Sequence, residues 1–269
     1  MTDIIKREVQ KLMRRVREGR VPPSEVIVEE AFKELGYLPA RFASSKVRKA
    51  FNKIFYQAWT KTLEVLERYE EKAYPRGIPE ELIRLRHEDV KEAEDVLKNR
   101  GFIPAIVGLF EKLYPYLRRC YLSIAQSRKA RGGKDFELTF GRLLELAEVP
   151  YEKLERTSRV DFMLPSDAAF QHNPTAAAIA SAKRTLRERW REVVEELQAT
   201  RSPNIFLVTA DSDISAGHVE AICGRYRIQL VVWDEIKTSR FPIEPLVLSY
   251  SQWANERLPV LEAFWKESR

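Results

Sequence analysis

The chain has 269 residues, of which 44% are hydrophobic and 32% are charged, so it can bury a core and is not a disordered polyelectrolyte. Lys and Arg number 46 against 40 Asp and Glu, and the net charge of +6 is compatible with a nucleic-acid partner without identifying one. The two cysteines and three histidines are scattered and form no CxxC or Cys/His cluster, which argues against a zinc site. One disulfide is possible, but free buried thiols are favoured, and the histidines have no expected catalytic role.

Helical periodicity dominates the first 100 residues. Ser24 follows two prolines and can cap a helix, whereas Pro75, Gly77 and Pro79 predict a turn. The N-terminal segment lacks the apolar centre of a signal peptide, and no apolar run reaches the roughly 18 residues of a membrane span. A cytoplasmic protein without a membrane partner is therefore expected. Helices are predicted over 2–19, 25–35, 45–73 and 79–99, and together they would form a helical N-terminal domain over residues 1–100.

The second part of the chain carries a different pattern. After a predicted helix over 109–127, Gly132 and Gly133 predict a break before another helix over 134–148. Strand, helix and strand within about 30 residues then indicate an α/β sheet with right-handed crossovers. We therefore expect an α/β domain over residues 101–269. Its predicted strands cover 160–164, 204–209 and 228–233, with a helix over 214–224.

Three charged residues in the second part have the chemistry of phosphodiester cleavage. Asp161 lies on the first predicted strand, Lys183 follows 22 residues later, and Glu196 stands 13 residues beyond it. Carboxylates hold a hard cation such as Mg²⁺ through oxygen, and a lysine beside the cation can position water or stabilise the transition state. Because Asp, Lys and Glu are common residues, this spacing alone is a weak indication of a nuclease.

The helix after Lys183 distinguishes two neighbouring glutamates. Glu196 lies at the edge of the apolar stripe, where a carboxylate can be half-buried, and Glu195 points away from the stripe towards solvent. Glu196 is therefore the better candidate ligand, although both can also be surface charges that form pairs such as Arg191 with Glu195. The apolar stripe consists of Leu186, Trp190, Val193 and Leu197.

A charged triplet, Arg187-Glu188-Arg189, opens this helix. Arginine can bond bidentately to guanine, and glutamate can accept a hydrogen bond from cytosine N4 in the major groove. The triplet is suited to reading G and C together, but most such triplets are solvated helix faces.

Two stretches carry a resemblance to a known family. RVDFMLPS followed by SAKRTLRERWREVVEEL, within residues 159–198, resembles the catalytic core of type II restriction endonucleases that recognise CCGG, CCNGG or CCWGG. The upstream stretch SRKARGGKDFE, residues 127–137, is similar to another segment of that group. These enzymes belong to the PD-(D/E)xK nuclease superfamily in a rearranged form. The resemblance therefore implies an α/β restriction-endonuclease-like fold, a mixed sheet flanked by helices, in the region 127–235.

The resemblance also implies roles for individual residues. Ser181 stands where the superfamily has an acidic residue two positions before the lysine, and Glu196 on the following helix fills that role. The implied catalytic group is Asp161, Lys183, Glu196 and an upstream helical glutamate, with Asp161 and Glu196 holding Mg²⁺. The upstream glutamate corresponds to Glu137, with Glu145 left open, and the base-reading element corresponds to Arg187, Glu188 and Arg189.

Further expectations remain open at this point. The alanine-rich segment 176–183 favours a helix by propensity but should be a strand in this fold. Asp167 is a weaker rival of Asp161. Arg128 and Arg131 can contact DNA phosphates, which would position the protein without reading sequence, although each can also be a solvated charge.

The expected function is a Mg²⁺-dependent restriction endonuclease that cuts double-stranded DNA at a palindromic site with a CCGG-like core. Because such a site is two-fold symmetric, a homodimer or homotetramer is expected. The alternatives are a repair or recombination nuclease of the same superfamily and a non-catalytic DNA-binding protein.

Overall fold

The computed structural model describes residues 2–38, 43–153, 160–186, 190–200 and 202–267. The chain forms two compact units, and both are discontinuous in sequence. The first unit comprises Met1–Ile27 and Leu63–Gly132, and the second comprises Val28–Thr62 and Gly133–Arg269. This grouping differs from a single boundary near residue 100, because two long helices each contribute to both units. A division into domains 1–100 and 101–269 stays a prediction.

Helices make up the N-terminal part, as predicted. They are α1 Thr2–Arg17, α2 Ser24–Glu34, α3 Ser44–Lys49, α4 Phe51–Leu85, α5 His87–Arg100 and α6 Phe102–Leu146. Among the described residues, none of the helices combines the length and hydropathy required to cross a bilayer.

The prediction of a turn at Pro75, Gly77 and Pro79 is wrong, because α4 continues through all three residues. Both prolines lie on the exposed side of the helix, and neighbouring apolar residues such as Ile78 are buried in the core of the first unit. That burial offsets the roughly 3 kcal/mol that a proline costs in a helix interior. Gly77 serves a close approach instead of a turn, since a Cβ there would lie 3.0 Å from Val16 Cγ1 of α1.

The predicted break at Gly132 and Gly133 is also wrong, because both lie within the 45-residue helix α6. Each glycine costs about 1 kcal/mol in a helix interior. The flanking turns are buried on both sides, with Cys120 in the core of the first unit and Phe136 in the core of the second. The glycine pair thus coincides with the boundary between the two units and not with a helix end.

The second unit contains a five-stranded mixed sheet in the order β1-β2-β3-β4-β5. The first two strands are antiparallel and the remaining pairs are parallel. The strands are β1 Phe162–Leu164, β2 Ala178–Lys183, β3 Ile205–Thr209, β4 Gln229–Val232 and β5 Val247–Ser249. The strands predicted over 160–164, 176–183, 204–209 and 228–233 are confirmed, whereas the short β5 was not predicted.

Two apolar layers cover the sheet. Alternate residues of β2 lie against different layers. Ala180 faces a layer built from α4, α6 and the C-terminal helices, and Ile179 faces a layer that contains the helix Trp190–Ala199. The alanines allow aromatic side chains to pack closely over β2, which outweighs their weak helix propensity. The remaining helices are α7 Asp167–His172, α8 Trp190–Ala199, α9 Ala216–Val219, α10 Asp234–Arg240, α11 Tyr250–Gln252 and α12 Leu258–Glu267, with π-helical turns at Glu220–Arg225 and Trp253–Arg257.

Candidate active site

Antiparallel pairing of β1 and β2 brings Asp161 to Lys183. Phe162 pairs with Ala180, so Asp161, one residue before β1, lies beside the carboxyl end of β2. Lys183 Nζ lies 2.8 Å from Asp161 Oδ2, and the two side chains are 24% and 15% exposed. The structure therefore brings together the aspartate and the lysine that the sequence analysis selected.

Two further donors hold the Asp161 carboxylate in place. Ser181 Oγ donates to Asp161 Oδ2 at 2.9 Å, and the Ala182 backbone N–H donates to the same oxygen at 2.7 Å. Hydrogen bonds to a carboxylate stabilise its charged form. Ser181 is fully buried and thus acts here as a hydrogen-bond donor to the carboxylate. No local sequence pattern indicated this contact.

Glu137 reaches the same lysine from helix α6. Its Oε1 lies 3.5 Å from Lys183 Nζ. Burial raises the pKa of Glu137, the nearby Asp161 carboxylate raises it further, and Lys183 opposes both effects. Two carboxylates and one ammonium therefore form a partly buried cluster in the second unit.

Both rival carboxylates lie elsewhere. Glu145 is engaged with Arg142 at 2.6 Å and with the Tyr151 hydroxyl at 2.9 Å. Asp167 follows the carboxyl end of β1, which lies beside the start of β2 and not beside Lys183. The structure therefore places Glu137 rather than Glu145, and Asp161 rather than Asp167, at Lys183.

The two glutamates of α8 differ in burial as their helical phase predicted. Glu195 is exposed and Glu196 is half-buried, with its Oε2 atom inaccessible to solvent. Among the described residues, however, no group of three or more His, Cys, Asp or Glu side chains is arranged to hold a metal ion. Membership of Glu196 in a metal site with Asp161 stays a prediction.

The chemistry of the cluster nevertheless fits a hard divalent cation. Asp161 and Glu137 together carry more negative charge than Lys183 can offset. Burial, and after it the neighbouring Asp161 carboxylate, raise the pKa of Glu137. Carboxylate oxygens are the ligands that Mg²⁺ prefers, and such a cation would relieve the repulsion between the two groups.

The segment after Lys183 is fixed by a residue that the sequence analysis missed. Asp211, just beyond β3, is buried, and its Oδ2 accepts a 2.8 Å hydrogen bond from the Leu186 backbone N–H. Its Oδ1 accepts from the Asp213 N–H at 2.9 Å. Arg187, Glu188 and Arg189, the candidate base-reading triplet, follow Leu186 directly but lie outside the described residues.

The other candidate DNA contacts, Arg128 and Arg131, belong to the first unit. Arg128 Nε lies 2.5 Å from the buried carboxylate of Glu70, and Arg131 donates to the backbone carbonyl of Pro22. Both guanidinium groups thus make contacts within that unit, and their role in DNA binding stays a prediction.

A cavity of about 750 Å³ lies at the other end of β2, near Ala176. Its wall contains Arg48, whose guanidinium is already engaged with Glu262 by two 2.7 Å contacts. The walls of this cavity lack convergent carboxylates and a lysine, so the cluster at Asp161 is the better candidate for chemistry.

A match to a known family covers about half of the chain. The sequence profile of the family described as EcoRII C terminal matches residues 106–244, which are 139 of the 269 residues. The chain belongs to this family. The matched range contains the whole cluster of Glu137, Asp161 and Lys183 as well as Glu196.

One known restriction enzyme matches less than half of the chain. The chain is similar to the type II restriction enzyme SsoII of Shigella sonnei, with 31% identity over 131 residues. That match covers 45% of this chain and only 42% of the relative's length.

Two solved structures share the fold. Metal-depleted Ecl18kI in complex with uncleaved, modified DNA has a TM-score of 0.83 at 22% identity, over 97% of this chain and 85% of that one. The PspGI–substrate DNA complex has a TM-score of 0.59 at 21% identity, over 92% and 94% of the two chains. The restriction-endonuclease-like α/β fold expected from the sequence is confirmed.

Proposed function

We propose that this protein is a type II restriction endonuclease that hydrolyses double-stranded DNA with Mg²⁺ as cofactor. The observation that carries the proposal is the convergence of Asp161, Glu137 and Lys183 at the carboxyl end of β2. Family membership supports it, because the relative SsoII is named a type II restriction enzyme and both structural neighbours are described in complex with DNA.

Lys183 is proposed to act on the scissile phosphate. Its ammonium can hold the attacking water or stabilise the negative charge that develops on the phosphate oxygens. Asp161 orients the ammonium through the 2.8 Å contact and is itself held by Ser181 and Ala182. Water adds to phosphorus as the bond to O3′ breaks, which yields 5′-phosphate and 3′-hydroxyl ends.

The proposed ligands of Mg²⁺ are Asp161 and Glu196, with Glu137 beside them. When bound, the cation offsets negative charge on the phosphate and activates water. Glu196 is the residue of α8 suited to this role, because it is half-buried whereas Glu195 is exposed.

The proposed target is a short palindrome with a CCGG-like core, read by Arg187, Glu188 and Arg189. Arginine contacts to guanine and a glutamate contact to cytosine would supply the discrimination. A palindrome presents the same edges twice, so the active form is proposed to be a homodimer or a homotetramer. A cytoplasmic location stays a prediction.

Digestion of plasmid DNA tests the proposal and its alternatives together. The purified chain is incubated with supercoiled plasmid in Mg²⁺ and, as a control, in EDTA. Discrete fragments that form with Mg²⁺ but not with EDTA would support a restriction endonuclease. Sequencing of their ends would then reveal the site and the cut position. Random nicking would indicate a repair or recombination nuclease, and intact plasmid with retained DNA binding would indicate a non-catalytic protein.

A further inference from the structure

Lys153 lies at the rim of the candidate active site, on a short stretch that pairs with β1. Glu152 and Met163 exchange two backbone hydrogen bonds of 2.9 Å. Because this bridge is antiparallel, Lys153 stands opposite Phe162, and its Nζ lies 5.8 Å from the centre of the Phe162 ring. The backbone therefore holds an exposed lysine at the start of β1, one strand position from Asp161.

Helix α6 brings Glu137 towards the same lysine. Gly141 follows Glu137 by four residues, so both lie on the same face of α6. The stem of Lys153 approaches this face closely, because a Cβ at Gly141 would lie 3.6 Å from Lys153 Cε and 3.1 Å from Phe162 Cε1. Lys153 thus packs on the part of α6 that supplies a carboxylate to the site.

The charge of Lys153 acts on the carboxylates of the cluster. Burial raises the pKa of Glu137 most and the Asp161 carboxylate raises it further, whereas Lys183 and then Lys153 lower it. Lys183 is the inner cation, since its Nζ lies 3.5 Å from Glu137 and 2.8 Å from Asp161. Lys153 is therefore a second positive charge at this cluster and the more exposed of the two.

The ammonium group of Lys153 retains the capacity to bind an anion. Within the part of the chain that the structure describes, its Nζ forms no ion pair, and its contact with an aromatic ring is a weak attraction at an exposed site. The neighbouring carboxylates have other partners. Glu145 accepts from the Tyr151 hydroxyl at 2.9 Å, and Glu152 accepts from the Asp167 backbone N–H at 2.9 Å. An exposed ammonium of this kind is suited to a phosphate.

We propose that Lys153 binds a phosphate of the DNA strand next to the scissile phosphate and so holds that strand over Lys183. The proposal rests on the proposed function, which places the scissile phosphate at Lys183. Phosphates recur about every 3.4 Å of helix axis along one strand, so a strand cut at Lys183 presents further phosphates to a neighbouring exposed lysine. Lys183 is held against Asp161 and acts on the reacting phosphate, whereas Lys153 has no such partner and binds the adjacent one.

Removal of the charge with the stem retained tests this contact. Lys153→Gln keeps most of the chain that packs against Gly141 and removes the ammonium. In Ca²⁺, affinity for cognate and random duplexes should fall alike, by about five- to tenfold, because a phosphate contact reads no sequence. The slope of log affinity against log salt should become shallower by about 0.9. Circular dichroism verifies that the variant is folded.

Two further variants serve as controls. Lys153→Arg restores the positive charge and should retain the affinity and salt slope of the parent. Lys49→Gln removes the same charge from another exposed lysine of the second unit, next to Arg48 in the wall of the cavity at the other end of β2. It should alter affinity by less than about twofold, because a distant exposed charge is screened by salt.

Single uncharged phosphates locate the contact. Cognate duplexes that each carry one methylphosphonate are compared position by position around the cut. At one phosphate within about two nucleotides of the cut, neutralisation should weaken binding of the parent and should not weaken the Lys153→Gln variant further. If every position weakens the parent and the variant equally, Lys153 does not bind a phosphate beside the cut.

The outcomes separate this proposal from the proposed function. If the parent cuts DNA and Lys153→Gln retains its salt slope, the Lys153 contact is overturned and the nuclease assignment stands. A loss of affinity confined to cognate DNA would also overturn the contact, since it would indicate base reading. If the parent binds duplex DNA but does not cut it in Mg²⁺, the proposed function fails, and the two salt slopes still decide whether Lys153 binds phosphate.

Discussion

Lys183 Nζ and Asp161 Oδ2 lie 2.8 Å apart although the residues are 22 positions apart in sequence. The register of two antiparallel strands, in which Phe162 pairs with Ala180, produces this contact. An ammonium held against a carboxylate in a partly buried cluster is costly to dismantle, since the remaining charge loses its partner. The contact therefore predicts distinct consequences for each residue.

Replacing Lys183 by alanine should remove DNA cleavage and spare DNA binding. Loss of one group that stabilises a developing negative charge lowers rates by about 100- to 1000-fold. Lys53→Ala is the matched control, because Lys53 is an exposed lysine of the same unit. Single-turnover cleavage of plasmid measures the rate. Equal cleavage rates in the Lys183 variant and the control would show that Lys183 has no part in the mechanism.

Replacing Asp161 by asparagine tests the choice between two aspartates. Asp161→Asn retains an oxygen for Ser181 and Ala182 but removes the charge that faces Lys183. Cleavage should fall at least about 100-fold. Asp167→Asn, at the opposite end of β1, should cut like the parent. The reverse result in a plasmid assay would show that the rival aspartate carries the function.

Two adjacent glutamates give a similarly matched pair on α8. Glu196→Ala should abolish Mg²⁺-dependent cleavage, because Glu196 is half-buried at the edge of the helix face whose apolar residues are buried. Glu195→Ala removes the same charge from the exposed side and should cut nearly normally. Titration of cleavage against Mg²⁺ concentration measures both. A dead Glu195 variant beside an active Glu196 variant would contradict the assignment of the helix faces.

Local sequence patterns predicted those elements of the fold whose conformation depends mainly on residues nearby in the sequence. Periodicity identified α1, α2, β3 and β4, because each buries one face or is buried throughout. It failed at Pro75 and Gly132, where packing of the flanking turns outweighs the local preference for a break. Such packing depends on residues far away in sequence, which no local window contains.

The same distinction applies to the site. Asp161, Lys183 and Glu137 were identified because their spacing resembles that of a family, and the fold brings the three together. The contribution of Ser181 depends on strand register, and that of Asp211 depends on the parallel pairing of β2 with β3. Neither residue type nor spacing reveals these long-range hydrogen bonds.

The direction in which DNA affinity changes in a Glu188 variant should distinguish base reading by Arg187-Glu188-Arg189 from general electrostatic attraction to DNA. Removing the negative charge with Glu188→Ala should tighten binding to any duplex if the triplet is only a solvated helix face. If Glu188 reads cytosine, cognate affinity should instead fall about 10- to 100-fold. Affinities for cognate and random duplexes at fixed salt, with Ca²⁺ in place of Mg²⁺, decide between the two. Equal strengthening of both would place base reading elsewhere.

Asp211 should influence sequence reading without touching DNA, if the triplet reads the bases. Its carboxylate accepts the Leu186 N–H at 2.8 Å, and Leu186 directly precedes Arg187. Asp211→Ala would leave that buried N–H without its acceptor, at a cost of about 1–3 kcal/mol, and residue 186 would no longer be held beside the end of β3. Cognate affinity should therefore fall about tenfold, while affinity for random DNA stays within about twofold.

A neighbouring aspartate provides the control for Asp211. Asp213→Ala removes the same charge from an exposed side chain and should preserve the ratio of cognate to random affinity. Asp211→Asn keeps an oxygen that can accept from Leu186 and should retain most of that ratio. Thermal unfolding of all three variants separates positioning from stability, since a positioning residue alters the affinity ratio beyond its effect on Tm. If Asp211→Ala lowers only Tm and the ratio is unchanged, the hydrogen bond to Leu186 serves the fold alone.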